Sequence, residues 1–117
     1  MHRLLQATRN TVNGLYACAH SEKAFRQELV AFVVALPLAY FVSTNIWRWL
    51  ALIGVLLLVL LVELLNTGLE KLADHVTREI HPAIGRIKDM GSAAVGISLL
   101  LAALVWLVAF AERLGLL

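Results

Sequence analysis

The sequence predicts an all-α integral membrane protein in which an amphipathic surface helix precedes three membrane-spanning helices. Of its 117 residues, 61% are hydrophobic and 15% are charged, whereas ordinary soluble domains are roughly 45–50% apolar and 25% charged. The apolar residues are collected into three long runs, and the mean hydropathy is +0.82. These observations exclude a water-soluble globule and a disordered chain. The length is that of a single membrane domain over residues 1–117.

The first predicted element is a surface helix over about residues 3–20. At about 100° per residue, its apolar side chains fall within one sector and its polar side chains on the opposite side. The apolar residues are Leu4, Leu5, Val12, Leu15, Tyr16 and Ala19, and the polar ones are Arg3, Gln6, Arg9, Asn10 and Asn13. This pattern favours a helix lying on the membrane surface, and the alternative is a helix packed on the protein's own core. Because the segment lacks a continuous apolar core, we expect no cleavable signal peptide.

Three spans are predicted at about residues 25–44, 46–70 and 91–112. The apolar run Leu29–Val42 is shorter than the about 20 residues that cross a bilayer, so the first helix is expected to extend at both ends. The second helix reaches residue 70 only if Glu63 and Asn66 are tolerated within it. Helices are expected because unsatisfied backbone groups are costly in lipid, and no run alternates as a membrane strand does.

Basic residues are distributed unequally between the two sides of the predicted membrane. They lie mostly before the first span (Arg3, Arg9, Lys23 and Arg26) and between the second and third (Lys71, Arg78, Arg86 and Lys88). Only Arg48 and Arg113 lie in the other two flanking segments. The positive-inside rule therefore places the N-terminus and the second loop in the cytoplasm. A net charge of +2 gives no indication of nucleic-acid binding.

Polar side chains line one face of the second span near its predicted cytoplasmic end. This polar stripe consists of Glu63, Asn66, Glu70 and Asp74, with Thr67 beside it. On an ideal helix the four share an arc of about 80°. An ionisable group at the edge of the hydrocarbon costs about 2.5–3.5 kcal/mol, so Glu63 needs a partner, a proton or a metal. Such a carboxylate suits a general base, although a single polar residue could instead hydrogen-bond between helices.

Two further charged clusters lie on the same predicted side of the membrane. The first contains Glu22, Lys23, Arg26, Gln27 and Glu28, and the second contains Arg86, Lys88 and Asp89. Glu22 and Arg26 are spaced for an ordinary solvated ion pair. Pro82 and Gly85 predict a turn before the third span. The cations near the polar stripe would suit a nucleotide–metal complex, and the alternative is that they are positive-inside residues with snorkelling stems.

Glu70 and Asp74 repel each other unless a cation lies near them. Hard cations such as Mg²⁺ prefer oxygen ligands together with substrate phosphates.

Several other kinds of site are disfavoured. The histidines show no metal-ligand spacing, and no Gly-rich phosphate loop is present. Cys18 is the only cysteine, which excludes an intrachain disulfide, and we interpret it as inert filler.

Three segments together resemble the prokaryotic diacylglycerol kinase family of small three-span membrane enzymes. They are Glu63-Leu-Leu-Asn66-Thr-Gly-Leu-Glu70 with Asp74, Lys88-Asp89-Met-Gly-Ser-Ala-Ala-Val95, and Ala24-Phe-Arg-Gln-Glu28 preceded by Glu22. The resemblance covers nearly the whole chain. It implies a homotrimer in the bacterial inner membrane, with active sites shared between neighbouring subunits. The implied reaction transfers the γ-phosphate of ATP to the hydroxyl of diacylglycerol, with Mg²⁺ required, giving phosphatidic acid for phospholipid recycling.

The resemblance also implies roles for individual residues. Glu63 resembles the general base, Glu22 and Glu70 the metal ligands, and Asn66 and Asp74 supporting residues. The implied nucleotide-binding residues are Arg3, Asn10, Glu22, Glu70, Glu79, Ile80, His81, Lys88 and Asp89. The implied substrate-binding residues are Arg3, Ala24, Phe25, Arg26, Gln27, Glu28, Glu63 and Ser92.

Two other functions are compatible with parts of this pattern. An undecaprenol kinase would use the same site chemistry on a long polyprenol, although the segment Glu22–Glu28 resembles the diacylglycerol type of Gram-negative bacteria more closely. A small proton-coupled multidrug transporter has a similar length and a membrane carboxylate, but such proteins have four spans. A purely structural subunit would leave the aligned carboxylates unexplained.

Overall fold

The structure is a computed structural model that describes residues 2–77 and 79–117. These residues form four α-helices and no strand: α1 His2–Ser21, α2 Lys23–Val42, α3 Ile46–Val76 and α4 Pro82–Arg113. The predicted all-α class is confirmed. Arg78, one of the basic residues predicted for the second loop, lies outside the described residues.

Three helices carry the predicted membrane character. Among the described residues, α2, α3 and α4 are long and apolar enough to cross a membrane. A 20-residue helix such as α2 extends about 30 Å, which matches the thickness of a bilayer core. This number of spans agrees with the prediction and differs from the four that a small multidrug transporter would have.

The first helix joins the others through its C-terminal end. Its predicted apolar face, which includes Leu4, Leu5 and Val12, is exposed, whereas Cys18 is buried. The Arg26 guanidinium on α2 donates hydrogen bonds to the carbonyl oxygens of Ala19 and His20 at 2.7 and 3.0 Å. These bonds satisfy carbonyls that the end of a helix leaves without partners. The exposed apolar face disfavours packing of α1 on the protein's own core and agrees with a surface helix.

The helices pack most closely at the end away from α1. The buried cluster there contains Ala39, Val42, Leu52, Ile53 and Ala109, and its alanines allow the helix backbones to approach. The Trp106 indole N–H donates to the Leu52 carbonyl at 3.2 Å. Near the last turn of α4, Glu112 accepts hydrogen bonds from Arg48 and Thr44, each at 3.0 Å. This packing holds α3 and α4 side by side along their length.

The turn predicted at Pro82 and Gly85 is wrong. α4 begins at Pro82, and the Gly85 N–H already donates to the His81 carbonyl at 2.8 Å. Proline suits the first helical position because the N–H that it lacks is not needed there. The His81 side chain caps the helix by accepting a hydrogen bond from the Ala83 N–H at 3.2 Å. α4 therefore begins before its predicted span. α3 likewise continues to Val76, beyond its predicted end at residue 70, so both helices are longer than predicted at the end where the polar stripe lies.

Candidate active site

The polar stripe predicted on the second span is built on one continuous helix, α3. Glu63, Asn66 and Glu70 are half-buried there, and Thr67 beside them is buried. The Asn66 side-chain NH₂ donates to the Glu70 carboxylate at 3.1 Å. The Glu63 Oε2 atom is shielded from solvent and has no hydrogen-bond partner among the residues that the structure describes. Because a sheltered carboxylate oxygen is costly to leave unpaired, this atom marks the position where a ligand group would be accepted.

Carboxylates from three parts of the chain influence Glu63 electrostatically. Two of them are Glu22, at the N-cap position of α2, and Glu70 on α3. Glu28 on α2 interacts with Glu63 in the same way, and its Oε2 atom is likewise shielded and without a hydrogen-bond partner. Like charges held this close repel one another, so the cluster favours a bound cation or proton.

The ion pair predicted between Glu22 and Arg26 is wrong. Glu22 is the N-cap residue of α2, and its carbonyl accepts a hydrogen bond from the Arg26 N–H at 3.2 Å. Its backbone is extended, with φ −119° and ψ 111°, so its side chain does not project as one on the helix surface does. Its carboxylate lies instead 3.8 Å from the Lys71 ammonium on α3. Arg26 is directed towards the end of α1. Glu22 is therefore available at the polar stripe.

A second contact brings the cationic cluster of α4 to the stripe. The Lys88 ammonium donates to the Asp74 carboxylate at 2.6 Å and forms an ion pair with it. This pair joins the last turns of α3 to the first turns of α4. It places the predicted nucleotide-binding lysine on the same side of the bundle as Glu70.

The remaining predicted residues lie around this centre. Phe25 is almost fully buried at 1% exposure, so its side chain belongs to the packing of the helices. Asn10 is exposed on α1 and accepts a hydrogen bond from Gln6 in the same helix. The exposed predicted residues are Arg3, Ala24, Arg26, Gln27, Glu79, Ile80, His81, Asp89 and Ser92. The structure gives these residues no contact with Glu63, and their predicted roles stay predictions.

Two residues at the site were missed by the sequence reasoning. Lys71, the partner of Glu22, lies on α3 about 80° from Glu63. It follows Thr67 by one helical turn, on the same flank of the stripe. Extending the predicted stripe by one turn beyond Thr67 would therefore have included it. Cys18, interpreted above as inert filler, is buried against the Thr67 hydroxyl. Burial raises the pKa of its thiol, and the hydrogen bond with Thr67 acts in the opposite direction. Its contact with Thr67 holds α1 beside the stripe.

An apolar groove begins at Glu28 and runs away from the stripe between α2, α3 and α4. Its volume is about 390 Å³, and its lining includes Phe32, Leu60, Leu99 and Trp106. Apolar walls with one carboxylate at the end suit a ligand that has a hydrocarbon chain and a polar head.

Three apolar helices, with carboxylates that influence one another at one end, define a multi-pass membrane protein with a polar site at its edge. The family model "Prokaryotic diacylglycerol kinase" matches residues 9–110. The chain is 36% identical to the diacylglycerol kinase of Escherichia coli strain K12, over 97% of this chain and 93% of that protein. It is 38% identical to the diacylglycerol kinase of Pseudomonas aeruginosa, over 91% and 86% of the two chains. The diacylglycerol kinase of Helicobacter pylori strain 26695 is 35% identical, over 89% and 81%.

The chain belongs to the prokaryotic diacylglycerol kinase family. It is therefore an enzyme, a kinase whose relatives are named for diacylglycerol as their substrate.

Proposed function

We propose that the protein transfers the γ-phosphate of ATP to the hydroxyl of diacylglycerol, giving phosphatidic acid for phospholipid recycling. The observation that carries this proposal is the sheltered Glu63 Oε2 atom, which has no hydrogen-bond partner in residues 2–77 and 79–117. It lies beside the Asn66–Glu70 pair, and Glu28 connects it to the apolar groove. A diacylglycerol hydroxyl reaches such an atom while its acyl chains stay in hydrocarbon.

In the proposed reaction, Glu63 accepts the proton of the lipid hydroxyl. The hydroxyl oxygen then forms a bond to the γ-phosphorus, and the bond from that phosphorus to the β,γ-bridging oxygen breaks. ADP leaves with that electron pair. Charge develops on the phosphoryl oxygens, and Lys88 is the nearby cation that would counter it. Because Lys88 is paired with Asp74 at 2.6 Å, its ammonium exchanges the Asp74 carboxylate for a nucleotide phosphate as nucleotide binds.

The residues present fit Mg²⁺. Glu22 and Glu70 supply hard oxygen donors from two helices beside Glu63. Across residues 2–77 and 79–117 no group of three or more His, Cys, Asp or Glu side chains surrounds one position. One or two carboxylates completed by substrate phosphates and water are the usual arrangement for this ion. Held by Glu22 and Glu70, a Mg²⁺ ion would supply positive charge that neutralises the nucleotide phosphates.

We further propose that the protein acts as a homotrimer in the bacterial inner membrane. Its N-terminus and second loop face the cytoplasm, where ATP is available, and active sites are shared between neighbouring subunits. This proposal follows the family and the distribution of Lys and Arg. It is also supported by the partly exposed stripe, because a neighbouring chain would shelter Glu63 and Glu70 further from water.

The lipid substrate is tested by comparing two acceptors. The purified protein is incubated with ATP and Mg²⁺ in detergent micelles that contain either diacylglycerol or undecaprenol. We expect turnover of diacylglycerol to exceed that of the polyprenol at equal mole fraction. Preferential phosphorylation of undecaprenol would contradict the proposed substrate and would assign the chain to the alternative lipid.

Replacing Asp74 with Asn is expected to change the KM for ATP by at most about fivefold, because an exposed ion pair contributes at most about 1 kcal/mol. The two side chains are 55% and 39% exposed. The kcat value is expected to change less, since Lys88 remains available to the phosphates. The measurement is an ATP titration of lipid phosphorylation at saturating Mg²⁺. A large loss of kcat with an unchanged KM would contradict a role for Asp74 that acts through Lys88.

A further inference from the structure

At Gly91, α4 lies close to the polar stripe of α3. A Cβ atom built at Gly91 would collide with the Asn66 Oδ1 atom, and would lie 3.0 Å from Leu69 Cδ2 and 3.2 Å from Asn66 Cγ. At Gly96, in the same helix, a Cβ atom would meet nothing within 4 Å. The missing side chain at Gly91 therefore provides the space that the Asn66 amide oxygen occupies.

The orientation of the Asn66 amide follows from this contact. Its oxygen is shielded from solvent and has no hydrogen-bond partner in the described residues, while its nitrogen donates to Glu70 at 3.1 Å. The two atoms share one planar group, so the position of the oxygen fixes the direction of the NH₂. Rotating the amide by half a turn would direct its oxygen at the Glu70 carboxylate, which is repulsive. The Glu70 carboxylate thus selects the NH₂ end of the amide, and the space at Gly91 allows the whole group to lie where this hydrogen bond forms.

We propose that Gly91 is a positioning residue for the kinase reaction, which holds Asn66 in the orientation that directs the Glu70 carboxylate towards the metal–nucleotide complex. This inference rests on the proposed metal-ligand role of Glu70. Gly91 touches neither substrate nor metal in this scheme, and its effect passes through Asn66. The proposal requires that residue 91 carries no Cβ atom. Substitution by alanine, which adds only that atom, is therefore sufficient to test it.

The test compares Gly91→Ala with Gly96→Ala, which places the same methyl group on the same helix in open space. Binding of Mn²⁺ to the full chain in detergent, with a non-hydrolysable ATP analogue present, is followed by electron paramagnetic resonance. Loss of an outer partner of a metal ligand commonly weakens metal binding by roughly 10–100-fold. For Gly91→Ala, which displaces that partner instead of removing it, we expect a smaller increase in the Mn²⁺ Kd of about three- to tenfold, at or below the lower limit of that range. Gly96→Ala is expected to bind Mn²⁺ like the wild type, and equal affinities for Gly91→Ala and the wild type would overturn the proposal.

A double-substitution cycle separates positioning from general disruption. In an Asn66→Ala background the amide that an added Cβ atom would meet is absent, and only Leu69 Cδ2, the end of a flexible side chain, still lies near it at 3.0 Å. The chain therefore accommodates an alanine at position 91 more easily in this background, even if Gly91→Ala alone fails to fold. If Gly91 acts through Asn66, Gly91→Ala causes no further loss of Mn²⁺ affinity in that background. A loss as large as in the wild-type background would overturn the proposal. Mn²⁺ binding requires no lipid, so failure of the wild type to phosphorylate diacylglycerol would refute the proposed function separately.

Discussion

Replacing Glu63 with Gln is expected to remove nearly all phosphoryl transfer while leaving the protein folded and oligomeric. Glutamine has almost the same shape as glutamate but does not accept the proton of the lipid hydroxyl. A positioned general base contributes typically about 10²- to 10⁴-fold to a rate, and we expect a loss of kcat in that range. The structural reason for expecting so large an effect is the sheltered Oε2 atom of Glu63, which has no hydrogen-bond partner in the described part of the chain.

The measurement is ATP-dependent phosphorylation of diacylglycerol in detergent micelles. The matched control is Glu112→Gln, which changes a carboxylate that is bonded to Arg48 and Thr44 near the end of α4, away from the stripe. This control is expected to keep the wild-type rate. Light scattering of both variants is expected to give the mass of three chains. Wild-type turnover by Glu63→Gln would remove Glu63 from the role of general base.

The helices and the stripe were predictable because both depend on local periodicity. The long apolar runs led to α2, α3 and α4, and the recurrence of polar residues at helical spacing placed Glu63, Asn66 and Glu70 on one face. The start of α4 was not predicted correctly, since Pro82 and Gly85 also occur in turns. The deciding feature is the cap provided by the His81 side chain, and a cap of this kind depends on side-chain geometry that residue type does not reveal.

The contacts between helices could not be predicted from the sequence. Glu22 and Arg26 have the spacing of an intrahelical pair, but the chain turns at Glu22 and directs it to Lys71. Cys18 meets Thr67, and Gly91 meets Asn66, only because α1 and α4 pack on opposite flanks of the stripe. Each of these contacts joins residues far apart in the chain. Which residues meet depends on how the helices pack on one another, and the periodicity of a single helix does not specify that packing.

Replacing Glu70 or Glu22 with Gln is expected to raise the Mg²⁺ concentration required for half-maximal activity. A neutral amide is a much weaker ligand for a hard cation than a carboxylate. Because loss of an outer partner alone changes metal affinity by roughly 10–100-fold, removing a ligand is expected to cause a change at least as large. The effect is expected to be greater for Glu70, whose carboxylate is held by Asn66 at 3.1 Å, than for Glu22, which lies 3.8 Å from Lys71.

The experiment is a Mg²⁺ titration of lipid phosphorylation at saturating ATP, repeated with Mn²⁺ binding measured by electron paramagnetic resonance. Glu112→Gln again serves as the control, because its carboxylate pairs with Arg48 and lies away from the stripe. If Glu70 and Glu22 are ligands, high Mg²⁺ restores part of the lost activity, and each variant binds Mn²⁺ more weakly than the control. A lower kcat with an unchanged metal titration would instead indicate that these carboxylates act by electrostatic repulsion on Glu63, and would leave the metal to be held by other residues.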